Sequence, residues 1–148
     1  MISPVTVDLH GTVRTRLRAV GQRYTPQRQT LVDVLRREGR PLAIGQVITG
    51  ASGLPQSSVY RNLAVLEQAG VVRRVVTHEE FGRYELDEEL TEHHHHLICS
   101  SCGRVQDVTV PAELEQRMGR TLDRLARRTG FASVSHRLDV IGTCRSCA

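Results

Sequence analysis

Apolar positions along the 148-residue chain recur first at helical spacing and then at strand spacing, and the change of period organises the sequence. Residues 7–20 read as a helix that stops at Gly21. Thr25-Pro26 supplies an N-cap and a first-turn proline, and Leu31, Val34 and Leu35 form the stripe of a helix reaching about Glu38. A third helix fits residues 44–49, and a fourth begins near Gln56 and ends at Gly70. In the fourth, Val59, Leu63 and Leu66 share one face, Ser57, Arg61 and Ala64 point the opposite way, and Tyr60 lies on the flank. Residues 71–76 and 82–86 then alternate as two strands of a hairpin carrying Arg73, Arg74 and Arg83. Helices followed by such a hairpin predict a winged helix-turn-helix, whose last helix enters the major groove while the wing touches the DNA backbone.

Residues 87–92 are acidic and turn-like. Beyond them the pattern predicts strands near 94–99 and 105–110, a helix over about 111–128, and a strand near 133–141. Leu114, Met118, Leu122 and Leu125 form one stripe on that helix, enough to cover one face of a small sheet. The expected fold is α+β: a winged helix-turn-helix over 1–86, a hinge over 87–92, and a small α/β dimerisation and metal-binding domain with a structural zinc over 93–148. Open strand edges in so small a unit invite a second subunit.

Charge supports the division. Residues 1–86 carry 12 Arg against 7 acidic residues and residues 87–148 carry 8 against 9, with no Lys anywhere. A basic N-terminal half suits an anionic partner such as DNA, and arginine supplies planar donors for phosphate and guanine. No run approaches the roughly 20 apolar residues of a membrane span, and the N-terminus lacks the basic and apolar regions of a signal peptide. The expectation is a cytoplasmic protein without a membrane partner, in which paired cysteines serve metal before disulfide.

Those cysteines are Cys99-Ser-Ser-Cys102 and Cys144-Arg-Ser-Cys147. Two chelating pairs present four thiolates to one tetrahedral zinc ion, and a closed shell without an open position makes the role structural. Just before them runs His93-His94-His95-His96. In an extended segment His94 and His96 face one side and His93 and His95 the other, so the run has the capacity to serve two sites. Strand alternation sets His136 with Val134 and Leu138 on an apolar face, where a lone histidine is more often core than ligand. His10 reads as surface, and His78 lies in the wing turn.

The segments Gly21-Gln-Arg-Tyr-Thr25-Pro-Gln-Arg28, Ser58-Val-Tyr-Arg-Asn-Leu63, Gly82-Arg-Tyr-Glu-Leu86, His93-His-His-His-Leu-Ile-Cys-Ser-Ser-Cys-Gly103 and Gly142-Thr-Cys-Arg-Ser-Cys147 occur in one order and spacing. Together they resemble the ferric uptake regulator superfamily of bacterial metal-dependent repressors, from about residue 12 to 148. The resemblance implies a homodimer reading a palindromic, AT-rich operator in double-stranded DNA, with metal at the interdomain hinge favouring the DNA-competent form. It implies that Ser57, Tyr60 and Arg61 enter the major groove and that Arg23 and Arg28 contact the backbone. For the sensor it implies Glu85, His94, His96 and Asp107, and for a second site His93, His95, Glu115 and His136. Arg40 stands where iron- and peroxide-sensing relatives usually place a histidine, and a guanidinium is no metal ligand. His78, Asp87 or water is left to complete the sensor. Arg73 stands where some zinc-sensing relatives carry an aspartate, and no cysteine is spare for the hinge. The regulatory ion is expected to be Fe(II), with Zn(II) the alternative, Mn(II) or Ni(II) after them, and peroxide sensing a further reading.

Other classes compete. A zinc-dependent hydrolase would use Glu85 or Glu92 as general base, but the sequence suggests no pocket for a small organic substrate and aromatic content is 3%. A zinc-stapled module without DNA affinity would leave the recognition-helix pattern unexplained. The sequence is therefore read as a regulator and not an enzyme.

Overall fold

The computed structural model describes residues 8–77, 82–132 and 134–148. Two compact units divide the chain, Met1–Glu92 and His93–Ala148. Among the described residues no helix is long and apolar enough to cross a membrane.

The first unit runs α1 (Leu9–Ala19), α2 (Pro26–Glu38), α3 (Ile44–Gly50), α4 (Gln56–Gln68), β1 (Val72–Val75) and β2 (Arg83–Leu86). Thr25 caps α2, its hydroxyl accepting from Arg28 N–H at 3.4 Å, and Pro26 opens the helix without wasting a donor. Leu17, Leu31, Val32, Leu63 and Leu66 are sealed at 0–1% exposure, each contributing about 1.5–3 kcal/mol of burial. Because α2 packs against α3, α4 and β2, it buries Val32 as well as the predicted stripe of Leu31, Val34 and Leu35. The antiparallel hairpin pairs Arg73 with Glu85 and Arg74 with Tyr84. Gly82 adopts φ +65°, and a Cβ there would sit 2.8 Å from the Val75 carbonyl oxygen, so hairpin closure demands glycine. Leu42 adds a single-residue bridge to Tyr84, with both N–H···O contacts at 2.8 Å.

The acidic connector packs with this first unit. Glu88–Leu90 forms a 3₁₀ turn whose Leu90 joins the core at 6% exposure.

The second unit is a three-stranded sheet in the order β4-β3-β5, with β3 (His95–Cys99) antiparallel to β4 (Val105–Val108) and parallel to β5 (Asp139–Gly142). Helix α5 (Ala112–Thr129) carries Glu113 and Glu115 in its first turn and Arg127 and Arg128 in its last, matching the helix dipole. The predicted stripe is only partly covered: Leu114 is 44% and Leu125 56% exposed, Met118 and Leu122 are half-buried, and Ala126 alone is fully buried along the helix. The sheet also leaves Leu97, Val140 and Ile141 exposed, beside an open groove of about 310 Å³. Strands of four or five residues and one helix enclose too little apolar volume to make a self-sufficient core.

Candidate metal centres and nucleic-acid interface

The two Cys-x-x-Cys turns meet because β3 and β5 run parallel, placing Cys99 opposite Gly142 at the ends of adjacent strands. The four sulfurs lie within 4.8 Å of one another, and Cys102 and Cys144 Sγ are 3.8 Å apart. That separation is far beyond a 2.05 Å disulfide and equals the edge of a tetrahedron with metal–sulfur bonds of about 2.3 Å. Backbone N–H groups, those of Cys102 and Cys144 foremost, draw the Cys99 thiol down to about 6, while the crowding thiols of Cys144 and Cys102 push Cys147 up to about 12. One thiolate forms readily there and a fourth does not unless a cation shares the space, so the donor set fits a structural zinc.

Alternation along β3 separates the histidines as expected. On one side, Glu115 of α5 collects three imidazoles: His93 Nε2 at 3.0 Å, His95 Nε2 at 2.8 Å and His136 Nε2 at 2.6 Å. The His95 hydrogen bond, ahead of the neighbouring imidazoles, holds the Glu115 carboxyl below its usual range. His136 therefore belongs to this cluster, and the backbone carrying it is irregular because β5 begins only at Asp139. His95 is 2% exposed and its Nδ1 has no hydrogen-bond partner among the described residues.

On the other side stand His94 and His96, with ring centroids 5.1 Å apart. His94 Nε2 lies 3.9 Å from Asp107 Oδ2 and His96 Nε2 lies 3.9 Å from Asp107 Oδ1, spacings wide enough to seat an ion about 2.0–2.2 Å from each atom. Cross-strand register produces this, since His96 on the central strand opposes Asp107 on β4 and Asp139 on β5. Asp139, which sequence reasoning did not single out, approaches His96 Nδ1 at 2.9 Å. A carboxylate on Nδ1 selects the tautomer that turns Nε2 toward an ion. Its one sequence signal was a charge inside the apolar run Leu138-Asp-Val-Ile141.

Glu85 is buried on β2 of the first unit at 5% exposure and accepts from Arg73 Nε at 2.6 Å. Arg73 thus faces inward and is no part of a solvent-facing basic wing. Period-two alternation across the register leaves Arg74 outside, stacked 5.4 Å over Tyr84 and bonded to Glu67. Asp87 accepts from Glu89 N–H and lies 3.6 Å from Arg16, engaged in its own turn. Arg40 is an exposed partner of Glu38 at 3.8 Å. His78 lies outside the described residues. His10, expected as surface, is half-buried and links Tyr24 OH at 2.7 Å to Asp33 at 3.2 Å.

Helix α4 exposes Ser57, Tyr60 and Arg61 on one polar, cationic face while Val59, Leu63 and Leu66 anchor the other. Arg23 is exposed beside Arg14 and Arg18, where the three line a basic cleft of about 410 Å³. Arg28, expected at the DNA backbone, also makes bonds within its own unit. Its Nε donates to Asn62 Oδ1 at 2.9 Å, Nη2 to Gln22 Oε1 at 3.0 Å and Nη1 to the Arg23 carbonyl, and Asn62 in turn donates to Gln27 and to the Ser58 carbonyl. All three guanidinium nitrogens are therefore engaged inside the unit, tying α2 to α4.

Peroxide-responsive repressor PerR of Staphylococcus aureus (strain USA300) is 28% identical over 136 residues, which cover 88% of this chain and 86% of the relative. The Helicobacter pylori ferric uptake regulator, whose structure reveals three functional metal binding sites, superposes with a TM-score of 0.70 at 26% identity, covering 94% of this chain and 91% of its own. The Pseudomonas aeruginosa ferric uptake regulator, solved with manganese, superposes with a TM-score of 0.67 at 26% identity, covering 88% and 96%. Residues 19–141 match the profile of the ferric uptake regulator family, so the chain belongs to that family of metal-responsive regulators.

Proposed function

We propose that this protein is a cytoplasmic, metal-dependent transcriptional repressor that binds a palindromic operator as a homodimer and controls metal-ion homeostasis. The observation that carries the reading is the division of one histidine run into two ligand sets by strand alternation, with His93 and His95 joined by His136 around Glu115 and His94 and His96 beside Asp107. Two mixed imidazole–carboxylate sets beside a closed four-thiolate set equip a protein to report an ion as well as to be stapled by one.

Residues 1–86 are the DNA-binding part in this reading, 93–148 the dimerisation and metal-binding part, and 87–92 the hinge. His94, His96 and Asp107 hold the regulatory ion together with Glu85, while Asp139 orients His96. His93, His95, Glu115 and His136 form the second site. A bound regulatory ion supplies positive charge that ligands drawn from both parts share. Nitrogen and oxygen donors without a thiolate favour Fe(II), with Zn(II) the alternative. Tyr60 offers its ring to thymine methyl groups, Ser57 and Arg61 reach base edges or phosphate, and Arg23 contacts the backbone. Arg28 acts by holding α4 to α2.

The test is selection of duplexes from a random DNA pool by the purified zinc-stapled protein, with Fe(II) or Zn(II) and then after chelation. Enrichment of a palindrome that requires metal and is lost in His94→Ala/His96→Ala supports the proposal. Binding unaffected by chelation and by those substitutions overturns the sensor assignment.

A further inference from the structure

Among the described residues one arginine is buried. Arg73 is 7% exposed, opposes Glu85 in the hairpin register and donates to it from Nε at 2.6 Å. A second carboxylate stands close by, with Glu88 Oε1 3.8 Å from Arg73 Nη1, and that nitrogen lacks a hydrogen-bond partner among the described residues. The guanidinium is thus bonded to one carboxylate and poised beside another.

A carboxylate taken out of water needs a compensating cation, and Arg73 supplies one whose charge is permanent. Any metal ion recruited by Glu85 has to share or displace that cation. Sharing sets two positive charges on one carboxylate in a poorly screened interior, and displacement breaks a buried ion pair. Either route weakens metal binding relative to a Glu85 without Arg73. Glu88 lowers the cost of displacement, because the released guanidinium finds a second acceptor at hand.

We propose that Arg73 is a resident competitor for Glu85 that sets the metal concentration at which the sensor responds, with Glu88 as the carboxylate to which the guanidinium shifts. The inference rests on Glu85 being a sensor ligand, as proposed above. If Arg73 serves only to hold the hairpin, its removal lowers stability and leaves metal affinity alone.

The full-length, zinc-stapled protein carrying His93→Ala/His136→Ala, which removes the other histidine set, is titrated with Co(II) against a chelator and read by its visible absorption. Melting curves run in parallel establish that each variant is folded. Arg73→Met is expected to tighten Co(II) binding by roughly tenfold, the size outer-shell partners exert. Glu85→Gln should weaken it and abolish the effect of Arg73→Met in the double variant, while Glu88→Gln should weaken it only when Arg73 is present. If Arg73→Met does not fold, Arg73→Gln replaces it, and Arg73→Lys should stay near the parent affinity. Glu85→Gln weakening binding while Arg73→Met leaves it unchanged or weaker overturns the competitor role and spares the ligand reading. Indifference to Glu85→Gln in both backgrounds overturns the ligand reading itself.

Discussion

Replacing Asp139 probes whether the sheet register, and not the histidines alone, builds the sensor. Its carboxylate lies 2.9 Å from His96 Nδ1, the imidazole being 5% and the aspartate side chain 41% exposed. A hydrogen bond to a charged acceptor contributes about 1.5–3 kcal/mol when shielded, and the solvent reaching Asp139 places it at the lower end. About 1.4 kcal/mol corresponds to tenfold in a binding constant, so Asp139→Ala should lower affinity for the regulatory ion by roughly tenfold. Asp139→Asn keeps an acceptor without the charge and should fall between. Chelator-competed Co(II) titration measures the affinities, and nitrogen NMR of the imidazoles reads the tautomer. The expected result is a parent protein with His96 held as the Nδ1–H form and an alanine variant with mixed tautomers and weaker binding. Parent-like affinity in Asp139→Ala, with binding still abolished by His96→Ala, would refute the positioning argument while leaving His96 a ligand.

Three further outcomes follow from the packing. Arg28→Met should weaken operator binding without changing the slope of log affinity against log salt, because three of its five N–H donors already bond Gln22, Arg23 and Asn62; a slope reduced by about 0.9 would make Arg28 a phosphate contact. Ile141→Asp alters a side chain 69% exposed beside the apolar groove, so sedimentation should show a folded monomer, and a dimer of unchanged affinity would remove that face from the interface. The Tyr24 phenol is pushed up to about 12, first by burial and then by Asp33. A group raised on folding stabilises fully below its unfolded value of about 10 and loses that contribution as pH climbs toward the folded one. Thermal melts should therefore decline between about pH 10 and 12, less steeply in Tyr24→Phe, and equal slopes would contradict the assignment.

Much of this fold is written in local chemistry. Thr25-Pro26 marks a helix start because a hydroxyl and a missing N–H suit the first turn, and the spacing of Val59, Leu63 and Leu66 leaves Tyr60 and Arg61 outside whatever the helix packs on. The Cys-x-x-Cys pairs and the alternation of four histidines needed only thiolate chemistry and the two-residue period of a strand. What packs against those faces depends on partners distant in sequence. Strand order β4-β3-β5 brought Asp107 and Asp139 to opposite sides of His96, although 43 residues separate His96 from Asp139. The hairpin register turned Arg73 toward Glu85, where composition alone suggested one more surface cation. The α5 stripe, read correctly as apolar, was left only partly covered within one chain, with Leu114 and Leu125 exposed. Local pattern determines which side of an element is apolar or carries ligands, because dihedral periodicity is a property of neighbours. Which residue meets it is decided by register and topology, because those arise only when the elements are packed together.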